Sequence, residues 1–554
     1  MKTLDLTQQQ IEAIEYLSNL VVLACPGSGK TTVMKEKIRK SIPALLSHQG
    51  VIAMTFTKKA SAELKKRCKS DGFITKQSFF GTIDSFCLEE VIFPFLSHLW
   101  GGHPSKCKVI TELTTSQKIF FKKTYVAPTL ENIVNDEIGF ITLYEQNFLW
   151  IDSLAGLALY ILEKSTAAVR YIKAKYKFIF IDEYQDSSRA QHELFMKFID
   201  MGLIGTAVGD VDQSIYQFRG SDPTCIEELK ADPKFKFLSI DQNHRSHVSI
   251  INYASRLLNP LYLTQPCEEI RVFRGVIVGN PIQAAKKISK LIERITLANE
   301  SINYSDIAIL AYKTISLNYI AGGLGLDYRL YNDTPLEKIE TPEAALIRDL
   351  LGFRFGRVTT MQEIFDLHFI YSNLSKANLL KIRKMLIEFR KIEISQISNI
   401  VIEILALSGV ESDCHSELEA LTSILGNENY IKNFMPILTN EVQLMTLHKS
   451  KGLEFHTVFH IDLDDWSFPH REYTGGWDDP PVYPQYKQDL NLHYVGITRA
   501  KEYCLLIQTT KRFNKQGAEK NTHPSDFLKL PHLETLYKNF KQVDFSLRSI
   551  VVTY

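Results

Sequence analysis

Much that would single out a function class is missing from this sequence. Net charge is missing: 64 Lys and Arg stand against 63 Asp and Glu. No whole-molecule field draws in a polyanion, so any nucleic-acid site must be a local groove. Paired cysteines are missing too. The eight cysteines are scattered, with no Cys-x-x-Cys and no Cys/His spacing that suits zinc. They read as reduced, mostly buried thiols of a cytoplasmic protein. No apolar run approaches the roughly 18 residues of a membrane span, so no membrane association is expected. The first residues, Met-Lys-Thr-Leu-Asp-Leu-Thr-Gln, hold no apolar core, and no secretory leader is expected. Pro and Gly cluster nowhere, which excludes a long disordered linker. There is no internal repeat with a period of roughly 20–50 residues.

What is present is a soluble-type composition, 45% hydrophobic and 23% charged, in a chain of 554 residues. That length calls for two to four domains. Short apolar runs alternate with helical patterns: Leu20–Ala24, Val51–Phe56, Phe178–Glu183 and Gly205–Asp210 read as buried strands. Ala60–Lys69 reads as a helix with a basic open side. Strands separated by helices predict a parallel α/β sheet. A second α/β region starts near residue 240, with strands at Ile307–Tyr312, Thr457–Ile461 and Cys504–Ile507. The expected fold is therefore α/β with two parallel-sheet domains, each carrying a mainly helical insertion. Residues 1–87 and 148–240 form the first domain around an insertion at 88–147. Residues 241–355 and 437–554 form the second around a short insertion at 356–436. The run Trp466–Tyr486 has no period and reads as a loop.

Ala24-Cys25-Pro26-Gly27-Ser28-Gly29-Lys30-Thr31-Thr32 follows a strand and opens a helix, the context of a phosphate loop. Gly27 and Gly29 let backbone N–H groups approach phosphates, and the helix N-terminus adds its dipole. Lys30 is placed for the β- and γ-phosphates and Thr31 for Mg²⁺. Ala24 stands where the first Gly of the pattern is usual. Cys25 sits inside the loop, at a position that accepts many residue types, and no redox role is expected of it. Asp182-Glu183 ends a hydrophobic strand, where such sheets bind ligands. Asp182 suits Mg²⁺ and Glu183 suits a base for the attacking water. Phosphoryl transfer also needs positive charge at the γ-phosphate. Arg245 and Arg499 are candidates that residue physics alone does not single out.

The ordered series of motifs resembles the UvrD/Rep family of superfamily 1 DNA helicases over nearly the whole chain. It runs Leu6-Thr7-Gln8-Gln9-Gln10, the phosphate loop, Thr55-Phe56-Thr57-Lys58-Lys59-Ala60 and Gly81-Thr82-Ile83-Asp84-Ser85-Phe86. Asp182-Glu183-Tyr184-Gln185-Asp186 follows, then Val208–Tyr216 and Gln242-Asn243-His244-Arg245-Ser246. Thr446–Phe455 and Tyr494–Ala500 close it. The resemblance implies two RecA-like domains with ATP between them and 3′-to-5′ movement on single-stranded DNA. It implies that Gln10 reads adenine and that Gln213 links the γ-phosphate to the DNA-facing segment. It makes Arg245 and Arg499 phosphate fingers of the second domain, and it brings His244, Gly452 and Glu454 to the nucleotide, Glu454 at the ribose. It also implies stacking of bases on Phe56, Tyr216 and Phe218, each ring contributing about 1–3 kcal/mol per base. Arg219 sits beside those rings. Thr82, Asp84, Thr446 and His448 complete the expected DNA contacts.

The sequence departs from the family at several positions. His244 replaces a usual Tyr, Asp84 a usual His and Phe218 a usual Trp. Gln488-Asp489-Leu490-Asn491 stands where an acidic-basic run often precedes the last motif. These changes bear on DNA contact more than on ATP hydrolysis. The second insertion is about half the family's usual length. The chain also resembles the compact helicase subunits of bacterial Gabija anti-phage systems, in Gly81–Phe95 and Tyr176–Asp186. That likeness implies a partner nuclease with ATPase and Toprim domains, a hetero-oligomeric complex, and activation by DNA ends. Three functions are therefore expected in competition: a stand-alone repair or replication helicase, a DNA-end-sensing ATPase that switches on a nuclease, and an inert interaction module. The intact Lys30, Thr31, Asp182, Glu183, Gln213, Arg245 and Arg499 argue against the last.

Overall fold

Apolar runs rich in Val, Ile and Leu bury themselves on both faces only inside a parallel sheet covered by helices. The computed structural model, which describes residues 6–215, 220–339, 341–356, 360–369, 374–408, 414–476 and 479–540, has two such sheets. They lie in separate compact units, residues 1–246 and 247–554.

In the first unit the strands are β1 (Leu20–Ala24), β2 (Gly50–Thr55), β3 (Phe79–Thr82), β4 (Tyr176–Ile181), β5 (Ile204–Gly209) and β6 (Lys236–Ile240). They pair in parallel in the order β3-β2-β4-β5-β1-β6. All six therefore end at one edge. Alternation along each strand sorts side chains to two cores. Val51, Ala53 and Phe180 join Val33, Met34 and Ile38 of helix α2 (Lys30–Ser41) on one face. Ile52, Met54, Ile179 and Ile181 join Phe86, Leu154 and Phe195 on the other. Helix α1 (Gln8–Glu15) is bound to α2 by the buried Lys37, whose ammonium donates to Ala13 O at 2.8 Å and to Tyr16 O. Helix α3 (Lys58–Cys68) starts at the Thr57 cap, two residues before the expected Ala60.

The first insertion is mainly helical, with one exception. Lys108–Ile110 pairs in parallel with Phe148–Trp150, so it closes just past residue 147. It has no core of its own. Leu96, Phe121, Ile133 and Phe140 belong to the same cluster as Ile52 and Ile179 of the sheet. The helical run entering it widens to a π-turn over Cys87–Ile92, just ahead of Pro94, which has no N–H to give.

In the second unit the strands are β7 (Val272–Ile277), β8 (Ile307–Ala311), β9 (Tyr328–Leu330), β10 (Val442–Thr446), β11 (Phe455–His460), β12 (Ala500–Thr509) and β13 (Lys538–Phe540). They are parallel in the order β9-β10-β8-β11-β12-β7-β13. The second insertion packs around its own cluster, including Leu350, Ile382, Phe389, Val401, Leu421 and Phe434. Leu336 and Ala344 already belong to that cluster, so the insertion begins well before the expected residue 356. Its root is clasped by Arg329 of β9. The buried guanidinium pairs with Glu441 Oε2 at 2.6 Å and donates to the Met435 and Pro436 carbonyls at 2.8 and 3.1 Å.

Candidate active site

Parallel strands deliver their C-terminal loops to one edge, and in the first unit that edge gathers most of the expected site. The phosphate loop leaves β1, Phe56 follows β2, Thr82 ends β3, Asp182 follows β4 and Asp210 follows β5. Gly27 and Gly29 have φ of 72° and 79°, a region where a side chain is strained. A Cβ on Gly27 would lie 2.5 Å from Arg245 Cβ and 2.8 Å from Asn243 Oδ1. Gly29 caps α2 with no side-chain hydrogen bond, which leaves the first N–H groups of the helix to an anion. Ser28 is held inside the loop, donating from Oγ to Cys25 O at 2.7 Å.

Lys30 projects from the first turn of α2. Its Nζ is buried and, among the described residues, has no hydrogen-bond partner; Asp210 Oδ2 lies 3.7 Å away. An ammonium buried this way lacks the acceptors its three N–H bonds call for. Phosphate oxygens supply them. Thr31 and Thr32 follow on the same turn. The residues thus fit a nucleoside triphosphate. For Mg²⁺ the donor set is one hydroxyl, Thr31, and one carboxylate, Asp182, with phosphate and water to complete the shell, as that ion prefers. Among the described residues no three His, Cys, Asp or Glu converge on a metal.

The carboxylates are held by their own backbone. Asp182 donates its N–H to Met54 O of β2 at 3.0 Å, and its Oδ1 accepts from Glu183 N at 3.0 Å. Glu183 sits at φ 54°, ψ 42°, a left-handed conformation that a non-glycine residue adopts only where its surroundings impose it. Gln185, fully buried, donates from Nε2 to Glu183 Oε2 at 2.6 Å and accepts from Asp210 N at 2.9 Å. Gln213 Nε2 donates in turn to Asp210 Oδ2.

Other expected residues are placed less simply. Gln10 is buried and its carboxamide is engaged twice: Nε2 donates to Ser28 O at 2.8 Å and Oε1 accepts from Thr7 N at 2.8 Å. It therefore braces the phosphate loop against α1. Residues 243–246 belong to the first unit, not the second. Their turn docks on the loop, with His244 N donating to Gly27 O at 3.0 Å and Asn243 Oδ1 accepting from Arg245 N and Ser246 N. Arg245 thus has its backbone beside Gly27. Cys25 lies next to it, donating its S–H to Asp241 O at 3.3 Å. Burial pushes this thiol up to about 12, so it is no nucleophile at neutral pH.

Among the residues expected to contact DNA, Thr82 Oγ1 accepts from Ser85 N at 3.2 Å and caps the short helical turn holding Asp84. Burial, and then Asp152, raise the Asp84 carboxyl to about 6. Phe56 is half-buried after β2. Tyr216, Phe218 and Arg219 lie outside the described residues.

In the second unit one motif spans the sheet. Thr446 ends β10 and His448 follows at that edge; Gly452 (φ 84°) and Glu454 lie at the start of β11, the opposite edge. Leu447 N donates to Ala311 O at one end and Phe455 N to Arg499 O at the other, both at 2.9 Å. Arg499 is 1% exposed, its guanidinium donating to Val495 O, Leu453 O and Thr498 Oγ1. Glu454 pairs with Lys501 at 2.7 Å. Lys449, midway, pairs with Asp333 at 2.7 Å, on the segment leading into the insertion.

Gln185, Asp210 and Asn243 were not among the residues expected to act. Each falls inside a motif run, but only the fold shows that their amide and carboxylate groups join Glu183, Lys30 and Arg245.

Comparison with known proteins places these motifs in context. The model of the UvrD/REP helicase N-terminal domain matches residues 6–97 and 106–234, and that of the UvrD-like helicase C-terminal domain matches 357–511. The Gabija protein GajB of Bacillus cereus is 29% identical over 504 residues, covering 90% of this chain and 94% of that protein. The ATP-dependent DNA helicase Rep of Buchnera aphidicola is 25% identical over 649 residues, 95% of this chain and 96% of Rep. The ATP-dependent DNA helicase PcrA of Staphylococcus epidermidis is 24% identical over 641 residues, 95% and 86%.

Proposed function

Because the chain belongs to the UvrD/Rep family of ATP-dependent DNA helicases, we propose that its first unit hydrolyses ATP in response to single-stranded DNA or DNA ends. We further propose that it serves as the helicase subunit of a Gabija-like anti-phage assembly, where it activates a partner nuclease of the ATPase–Toprim kind. The observation that carries the ATPase reading is the buried Lys30 ammonium, without a hydrogen-bond partner among the described residues, directly after the Gly27–Gly29 loop. Lys30 offsets phosphate charge in a site that excludes water, where each charge counts for more. Thr31 and Asp182 would hold Mg²⁺, which would supply further positive charge at the phosphate oxygens. Glu183 accepts the proton of the attacking water. Gln10 keeps the loop seated against α1. Arg245 brings positive charge to the γ-phosphate from beside Gly27, and Arg499 is assigned the same task by the family pattern. Movement is 3′ to 5′ by that pattern.

The Gabija reading is supported by chain length. The alignments with Rep and PcrA run to 649 and 641 residues, longer than the whole 554-residue chain, so both relatives carry segments it lacks. The alignment with GajB needs only 504. A stand-alone repair helicase is the second reading, favoured by the equally full coverage of Rep.

The test is steady-state ATP hydrolysis with and without single-stranded DNA, for wild type and Glu183→Gln. DNA is expected to raise turnover several-fold, and the variant to lose about 10²–10⁴-fold, the usual contribution of a positioned base. Absence of hydrolysis under every condition would overturn the ATPase reading. Co-purification with a nuclease then separates the assembly subunit from the stand-alone helicase.

A further inference from the structure

The base of an ATPase must present one carboxylate oxygen to water while the other is held. Glu183 is the residue read as that base, and its backbone is left-handed, a conformation that a non-glycine residue keeps only with support from its surroundings. Its Oε2 accepts a 2.6 Å hydrogen bond from Gln185 Nε2. Both polar atoms of the Gln185 side chain are engaged. Its Oε1 accepts from Asp210 N at 2.9 Å, and its backbone carbonyl accepts from Ser214 Oγ at 3.4 Å. It is wholly buried, and a Cβ on Gly209 would come 2.6 Å from its Oε1, so the seat exists only because residue 209 is glycine.

We propose that Gln185 is the positioning residue for Glu183: it holds one carboxylate oxygen so that the other faces water, and it ties that orientation to the segment Asp210–Ser214. The second half of the claim follows from what Asp210 touches. Its Oδ2 takes the Gln213 amide and lies 3.7 Å from Lys30 Nζ, and its Oδ1 accepts from Asp212 N at 3.2 Å. A displacement of residues 210–214 therefore reaches Glu183 through a single side chain.

This inference rests on reading Glu183 as the base, so the test includes Glu183→Gln. Two variants address Gln185. Gln185→Leu removes the donor. DNA-stimulated kcat is expected to fall about tenfold or more, part of the 10²–10⁴ of a positioned base, with KM for ATP unchanged within about twofold. Gln185→Glu keeps the length and the acceptor for Asp210 N–H, and so protects the fold. When ionised it repels Glu183 and offers no donor; when protonated it restores an O–H donor. Its activity relative to wild type is expected to recover as pH falls from 8 to 6. A Gln185→Leu variant with wild-type kcat, or a Gln185→Glu ratio flat across that pH range, overturns the proposal while leaving the base intact. Full turnover by Glu183→Gln instead overturns the base reading itself.

Discussion

Asp84 is the residue where chemistry and expected role pull against each other. A carboxylate facing a phosphate repels it, yet the family pattern puts position 84 among the DNA contacts. Burial resolves part of the conflict by raising the carboxyl to about 6, with Asp152 adding to the rise and Gln191 and Lys58 opposing it. Above that value the group is charged and would oppose a nearby phosphate; below it the group is neutral and could donate. Affinity for single-stranded DNA is therefore expected to rise as pH falls from 7.5 to 5.5. Asp84→Asn should bind about fivefold tighter or more at pH 7.5, since one like-charge contact costs about 1 kcal/mol in water and more where it is buried, and should flatten the profile. Fluorescence anisotropy across that pH range measures both. No redox role is expected of Cys25 from sequence, and burial, which raises its thiol, works in the same direction. Gln10 is expected from the family pattern to read adenine, but its bonds to Ser28 and Thr7 could not be foreseen, because a side-chain amide gives no sign in sequence of which backbone it will reach.

At the scale of elements, strands were the easiest to read. Each expected strand is present, with ends within two residues of those expected except that β12 starts four residues before Cys504, because apolar β-branched runs have one way to be buried on two faces. Contacts that depend on tertiary packing were not readable. His460, at the end of β11, is an example. Its Nδ1 donates to Ile461 O at 3.0 Å, so its Nε2 accepts from His493 Nδ1 at 2.9 Å. Both rings are completely buried, His493 stacked 8° from parallel on Phe527. Burial lowers His460 to about 4 and His493 well below its ordinary value. The pair is stable only while neutral. Between pH 6.5 and 4 the unfolded chain binds the protons the folded one refuses, so stability falls as pH falls. The stability advantage of wild type over His460→Phe should shrink by up to about 3 kcal/mol from pH 7 to pH 4. Denaturant titrations at each pH test this, since groups remote from the pair cancel.

The molecule as a whole contains two insertions of opposite construction. From sequence they looked alike, both helical and both short, because periodicity tells that a helix has an apolar face but not which core receives it. In the structure the first shares its core with the sheet of its unit, whereas the second owns a separate cluster from Leu336 to Phe434. Hydrogen exchange should report the difference. The first insertion is expected to exchange together with its sheet, the second as a block of its own with lower protection. Arg329→Met, which strands the 4%-exposed Glu441 side chain, should deepen that contrast and cost about 3–5 kcal/mol. A single exchange block over the whole second unit would contradict this.

The motif that crosses the second sheet carries a last consequence. Its ends are pinned, at Ala311 on one side and Arg499 on the other, and Lys449 grips the base of the insertion between them. Such a stretch is a fixed-length tie-rod rather than a loop. Loops tolerate gained or lost residues; this one has no slack to absorb them. Across natural relatives its length should be as invariant as its chemistry, and a single added residue between His448 and Glu454 should leave both anchors intact while breaking the correspondence between what happens at one edge and what is felt at the other.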